Sequence, residues 1–196
     1  MNTKQLAKII SYIFIPPLMN FVIFVLLAVK IELTEKRFLV IGTALILGLI
    51  LPLVTFIILR KKGKIVNDDA TIKEERTIPY LYGIVFSIFA TLILFFGKAN
   101  NLAVMLWFSY LFNSIILIVV NKYWKISAHT MGVAIPLGAS FFICTNFTYV
   151  LLIILLLVAW ARNELKVHTI PQIIAGAFVG FTVTYILLHN SYILLN

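Results

Sequence analysis

Only one of the 196 residues is cysteine, Cys144. That excludes an intramolecular disulfide and a multi-cysteine metal site. Charge is scarce too. Asp, Glu, Lys and Arg together make up 12% of the chain, about half of what a soluble domain of this size carries. Only seven residues are acidic, and no aspartate follows Asp69. No small-residue cleavage site follows the first apolar run, which is also too long for a signal peptide. The run is therefore expected to remain as an uncleaved first helix.

What is abundant is apolar: 62% of the residues are hydrophobic. Runs of about 20 such residues recur, the length that crosses a bilayer as a helix. The expected fold is an all-α polytopic transmembrane bundle of six to seven spans, one integral membrane domain over 1–196 with no soluble module. The first spans are expected near 9–29, kinked at Pro16-Pro17, and 38–59, with Pro52 inside. Spans near 79–97 and 102–121 follow, joined by so short a turn that they must be antiparallel neighbours. Asn113 and Ser114 in the fourth suit interhelical hydrogen bonds. Residues 131–160 are too many for one span, and Cys144-Thr145-Asn146 is a plausible turn between two short ones. The last span, near 170–188, carries Gly176 and Gly180 at the spacing of a close helix contact.

Three polar clusters interrupt the apolar chain: Lys73 to Pro79, Lys125 to Thr130, and Arg162 to Gln172. Seven crossings put all three on one side with the N-terminus. Of the 16 lysines and arginines, all but Lys30, Lys36, Arg37 and Lys98 then lie on that side, which the positive-inside rule makes cytoplasmic. The formal charge of +9 thus reflects loop placement and an anion site, with no nucleic acid implied.

Polar groups at a bilayer boundary are costly unless paired, so the clusters are the functional candidates. Guanidinium forks match phosphate oxygens. A neutral histidine can attack phosphorus, and a protonated one can give its proton to the leaving oxygen, with no metal or other cofactor. Each residue also has a structural explanation. Ser127 can cap a helix. Thr169-Ile170-Pro171-Gln172 fits a capping box with proline in the first turn. An isolated boundary histidine is usually interfacial.

Together the clusters resemble the three motifs of the type 2 phosphatidic acid phosphatase superfamily, the membrane lipid phosphate phosphatases: K-x6-R-P, P-S-G-H and S-R-x5-H-x3-D. Ala161-Arg162, His168 and Gln172 stand at the spacing of the third. Ile126-Ser127-Ala128-His129 keeps the serine and histidine of the second. In the first, Arg76 takes the arginine position, but Pro79 stands three residues after it and Asp69 occupies the lysine position. The resemblance spans Asp69 to Gly180. It implies a phosphatase-type core in which His168 is the nucleophile and His129 the acid on the leaving group. Arg76, Ser127 and Arg162 would bind the phosphoryl oxygens. By inference beyond the family pattern, Lys73 or Lys125 replaces the missing lysine.

The implied activity is metal-independent hydrolysis of a lipid phosphate or diphosphate, of polyprenyl or phosphatidate type, through phosphohistidine. It points to a prokaryotic plasma membrane. Where the family has an aspartate to orient the nucleophile and balance its charge, this chain has Gln172, and Glu164 is the nearest spare carboxylate. That substitution motivates one alternative, a catalytically weakened relative that binds anionic lipid. Asn67-Asp68-Asp69 motivates another, a magnesium-dependent membrane prenyltransferase, although no second aspartate-rich loop exists.

Overall fold

A computed structural model describes residues 2–66, 72 and 74–193. Lys73, Asp68 and Asp69, candidates from the sequence, lie outside the described residues. All regular structure among the described residues is helical. Among the described residues five helical segments are long and apolar enough to cross a membrane, or six if a bent pair counts as one span. The chain is a multi-pass membrane protein.

Helix α1 (Thr3–Ile13) begins at a capping box. Asn2 Oδ1 accepts from the Lys4 amide, and Gln5 Oε1 accepts from the Asn2 amide at 3.1 Å. Helix α2 (Pro16–Lys30) opens on the two prolines, which are tolerated in a first turn but not inside a helix. The break at Phe14-Ile15 bends the pair by 50°. Helices α3 (Thr34–Thr43) and α4 (Leu51–Lys61) form one rod of 28 residues through a π segment at Ala44–Ile50. The π segment ends just ahead of Pro52, whose ring would clash with the carbonyl four residues back in an α-helix.

Helices α5 (Thr77–Phe96) and α6 (Asn101–Tyr123) form the expected antiparallel pair. Their turn is tied to the loop after α2. Buried Glu32 accepts the Asn100 amide at 2.8 Å, and Asn100 Oδ1 caps α6.

Residues 131–160 resolve into two helices joined at Cys144, where the sequence suggests a turn. Both were expected to be short, but only one is. Helix α7 (Ala128–Ile143) has 16 residues, about 24 Å at the helical rise, whereas α8 (Thr145–Glu164) has 20 because it continues past Trp160. The short helix survives because it touches little lipid. It is buried along most of its length among α2, α8 and α9 (Ile170–Ile193). Asn113 bonds Thr184 Oγ1 at 3.3 Å, joining α6 to α9 as its position inside a span suggested.

At the α7–α9 seam two helix backbones meet directly. A Cβ on Gly176 would stand 2.4 Å from the Ser127 carbonyl oxygen, and one on Gly180 2.8 Å from that of Met131. Only glycine permits that approach, and Thr130 Oγ1 uses it to reach the Ile173 carbonyl at 3.0 Å.

Bulk at Gly176 is therefore expected to force the seam apart. Gly176→Leu should lose stability by about 1–3 kcal/mol or more, the usual cost of overpacking. Gly42→Ala, where nothing lies within 4 Å, should be neutral or gain a few tenths. Thermal unfolding of both variants in detergent measures the contrast.

Candidate active site

The site sits where the three polar clusters meet, at the end of the bundle that carries the N-terminus. Arg76 ends a short 3₁₀ turn (Glu74–Arg76) leading into α5. Its side chain is buried, and Nη1 donates to the Ile126 carbonyl at 3.3 Å, linking the first cluster to the second. Tyr80, one turn along α5, bonds both Arg76 and Asn121. Asn121 in turn accepts the Ile126 amide at 3.3 Å.

The second and third clusters share a backbone bond, Ser127 N–H to the Gln172 carbonyl at 3.1 Å. Lys125 Nζ donates to the Val167 carbonyl at 2.9 Å. Ser127 is fully buried, and its Oγ accepts the Thr130 amide at 3.3 Å as the N-cap of α7. The hydroxyl thus acts in the structural role that the sequence offered for it.

His168 is positioned by the way α8 ends. Lys166 takes a left-handed φ of 54°, an αL helix stop that is uncommon outside glycine and costs about 1 kcal/mol or more. The turn brings Val167 N–H back to the Arg162 carbonyl and aims the next side chain into the bundle. Only 5% of His168 remains exposed.

Gln172, one helical turn on, faces it, with Nδ1 and Oε1 3.2 Å apart. The same Oε1 accepts the Thr169 amide at 3.2 Å. An atom that accepts a backbone N–H is the amide oxygen, so the group opposite it on His168 must be the donor. Nδ1 therefore carries the proton, and Nε2 keeps its lone pair. The capping bond keeps the glutamine from presenting its NH2 to the ring, which would impose the other tautomer. Glu164, the spare carboxylate, accepts the Thr3 hydroxyl at 2.8 Å.

His129, in the first turn of α7, donates a ring N–H to the Ser11 backbone carbonyl. Arg162, fully buried near the end of α8, sends Nη1 to Ser11 Oγ at 3.4 Å. Ser11, Tyr80 and Asn121 thus support the site from behind, and none of them belongs to the polar clusters that stand out in the sequence. Their signal was faint: polar side chains inside or at the edge of apolar spans, with no charge to draw notice.

Arg76, His129 and His168 line one cavity of about 580 Å³, joined at its rim by Arg60 from the end of α4. Arg162 stands behind His129, through Ser11. On its other side His168 borders a shallow outer depression shared with Lys125, Lys166 and Gln172. Among the described residues, no group of three or more His, Cys, Asp or Glu is placed to hold a metal.

The His168 pKa is pushed down from 6.5 to about 3, first by burial and then by Arg76, Arg162 and Lys125, with the Gln172 bond opposing. The imidazole is thus neutral at pH 7. Because the folded pKa lies below the unfolded one, its contribution to stability is present above about pH 6.5 and is lost progressively as the pH falls towards 3. The thermal midpoint should decline across that window, and decline less in His168→Gln. An anion held among the cations should raise the pKa, so NMR titration of the His168 ring with and without inorganic phosphate should show an upward shift on binding.

Searches against protein-family models, curated proteins and solved structures return no match to this chain.

Proposed function

We propose that this chain is an integral membrane phosphatase that hydrolyses a lipid phosphate through a phosphohistidine at His168. One observation carries the proposal. Residues from three distant clusters, Arg76, His129 and His168, line a single cavity, and the imidazole there is neutral with its Nδ1–H tautomer fixed by Gln172. That arrangement suits nucleophilic attack better than simple anion binding, for which a tautomer is immaterial. The proposal includes membership of the type 2 phosphatidic acid phosphatase superfamily, and it places the site on the cytoplasmic face of a prokaryotic plasma membrane.

In the proposed reaction Arg76 binds the phosphoryl oxygens, and Arg162, buried behind His129, adds positive potential without touching them. The Nε2 lone pair of His168 attacks phosphorus, and the P–O bond to the lipid breaks. The positive charge on the ring is shared through Nδ1–H to Gln172 Oε1. Once the bound phosphate offsets the neighbouring cations, His129 takes up a proton from solvent on the ring nitrogen not bonded to Ser11 and gives it to the departing lipid oxygen. It then takes one from the water that attacks phosphohistidine, breaking the P–N bond and freeing inorganic phosphate. Lys125 adds positive potential beside Val167. Ser127 acts through the cap that sets the position of His129.

The second reading is a relative that binds anionic lipid with little turnover. Gln172 favours it, since an amide holds the ring but supplies no negative charge. In a serine protease triad the analogous loss of the carboxylate lowers turnover by about 10⁴.

Purified protein should release phosphate from lipid phosphates in detergent, undiminished by EDTA and abolished in His168→Ala. An acid-labile, alkali-stable phosphoprotein should be trapped during turnover. Release unchanged in His168→Ala would eliminate the proposed nucleophile. Gln172→Asp should raise turnover, by as much as a few orders of magnitude if the missing charge alone is limiting. Tight lipid phosphate binding without release in the wild type, with release appearing in Gln172→Asp, would favour the second reading.

A further inference from the structure

The cavity is far larger than a phosphate needs, and its interior is mostly apolar. From the cationic rim it runs inward along α5, past Gly83 and as far as Ser87. Eleven residues separate Arg76 from Ser87, or about 16 Å at the helical rise. That is about half the hydrocarbon thickness of a bilayer, the depth occupied by one acyl chain of one leaflet. The opposite wall is the π segment and α4, where Gly48 and Pro52 lie alongside the pocket.

We infer that the bundle takes one unbranched hydrocarbon chain of its anionic ligand into this cavity, and that the cavity's depth sets the chain length accepted. Charge complementarity decides the occupant. Cations and imidazoles stand at one end, most of the remaining wall is apolar, broken by Asn20, Trp107 and Tyr110, and the whole lies inside a membrane-spanning bundle. The ligand is therefore an amphiphile with an anionic head and a chain of leaflet length. A long branched polyprenyl chain exceeds the depth and is the poorer fit. The inference rests on the anion-binding half of the proposed function and not on turnover.

Two small residues on one wall make the depth measurable. A Cβ on Gly83 would meet only Ser114 Oγ, at 3.7 Å, so a side chain there has room to form on the cavity wall that the two residues share. Gly83 lies about 10 Å from the rim and Ser87 about 16 Å. The experiment is calorimetric binding of hexyl, decyl and octadecyl phosphate to wild type, Gly83→Leu and Ser87→Leu in one detergent. Dividing each variant's constant by the wild-type value at the same length cancels micelle partitioning.

Gly83→Leu should weaken decyl and octadecyl phosphate by about tenfold or more while sparing hexyl phosphate. Ser87→Leu should weaken only octadecyl phosphate by that factor. Retained hexyl phosphate binding reports an intact fold. Gly83→Ala, the mildest change, should shift affinity in the same direction by less. Variant-to-wild-type ratios that do not depend on chain length would overturn the channel and leave the anion site standing. Tighter binding of a long polyprenyl phosphate than of octadecyl phosphate would overturn it too. Failure of every alkyl phosphate to bind the wild type would overturn the phosphate reading itself.

Discussion

Everything at the cationic end depends on how closely α7 and α9 approach. Two glycines let the backbone of α9 touch that of α7 at Ser127 and Met131. The start of α9 then lies beside the start of α7, and Ser127 can donate to the Gln172 carbonyl. A wider seam would carry Gln172, and with it the His168 ring, away from His129. In lipid no hydrophobic driving force holds helices together, so such packing and a few polar bonds must do so. Here they are the Thr130–Ile173 bond at the seam and the Asn113–Thr184 bond between α6 and α9.

The same end of the molecule gathers positive charge. Arg76, Arg162 and Lys125 all act on His168 strongly enough to lower its pKa. Their contacts include neutral oxygens: the Ile126 carbonyl, the Ser11 hydroxyl and the Val167 carbonyl respectively. Such contacts fix geometry, and a region of low dielectric strengthens the potential of the charges it holds. It is poised for an anion, and burial alone would already discourage a charged imidazole.

Much of this was legible from the letters. The polar clusters announced themselves against the apolar background, and Gly176 and Gly180 announced the seam. The turn at Cys144 followed from arithmetic on span length. What stayed hidden depends on three-dimensional context. Helix α7 could not be recognised as the buried one, because a central helix and a lipid-facing helix are equally apolar. The π segment leaves no periodic mark beyond Pro52. Ser11 and Tyr80 belong to no motif, and only the bend between α1 and α2 and the packing of α5 give them partners. Gln172 was ambiguous between a cap and a partner of His168, and the structure gives one oxygen both bonds.

That double use of Gln172 Oε1 has a chemical consequence. In the proposed reaction the ring becomes positively charged once Nε2 bonds phosphorus. A carboxylate at position 172 would offset that charge, whereas an amide oxygen offers only its dipole. The neighbouring cations oppose the charge further. The balancing negative charge must then come from the phosphoryl group itself, which argues for a dianionic headgroup and against a phosphodiester, which brings only a single charge. With a neutral orienting group, selectivity for the ionisation state of the substrate and the rate of the chemical step become the same electrostatic quantity.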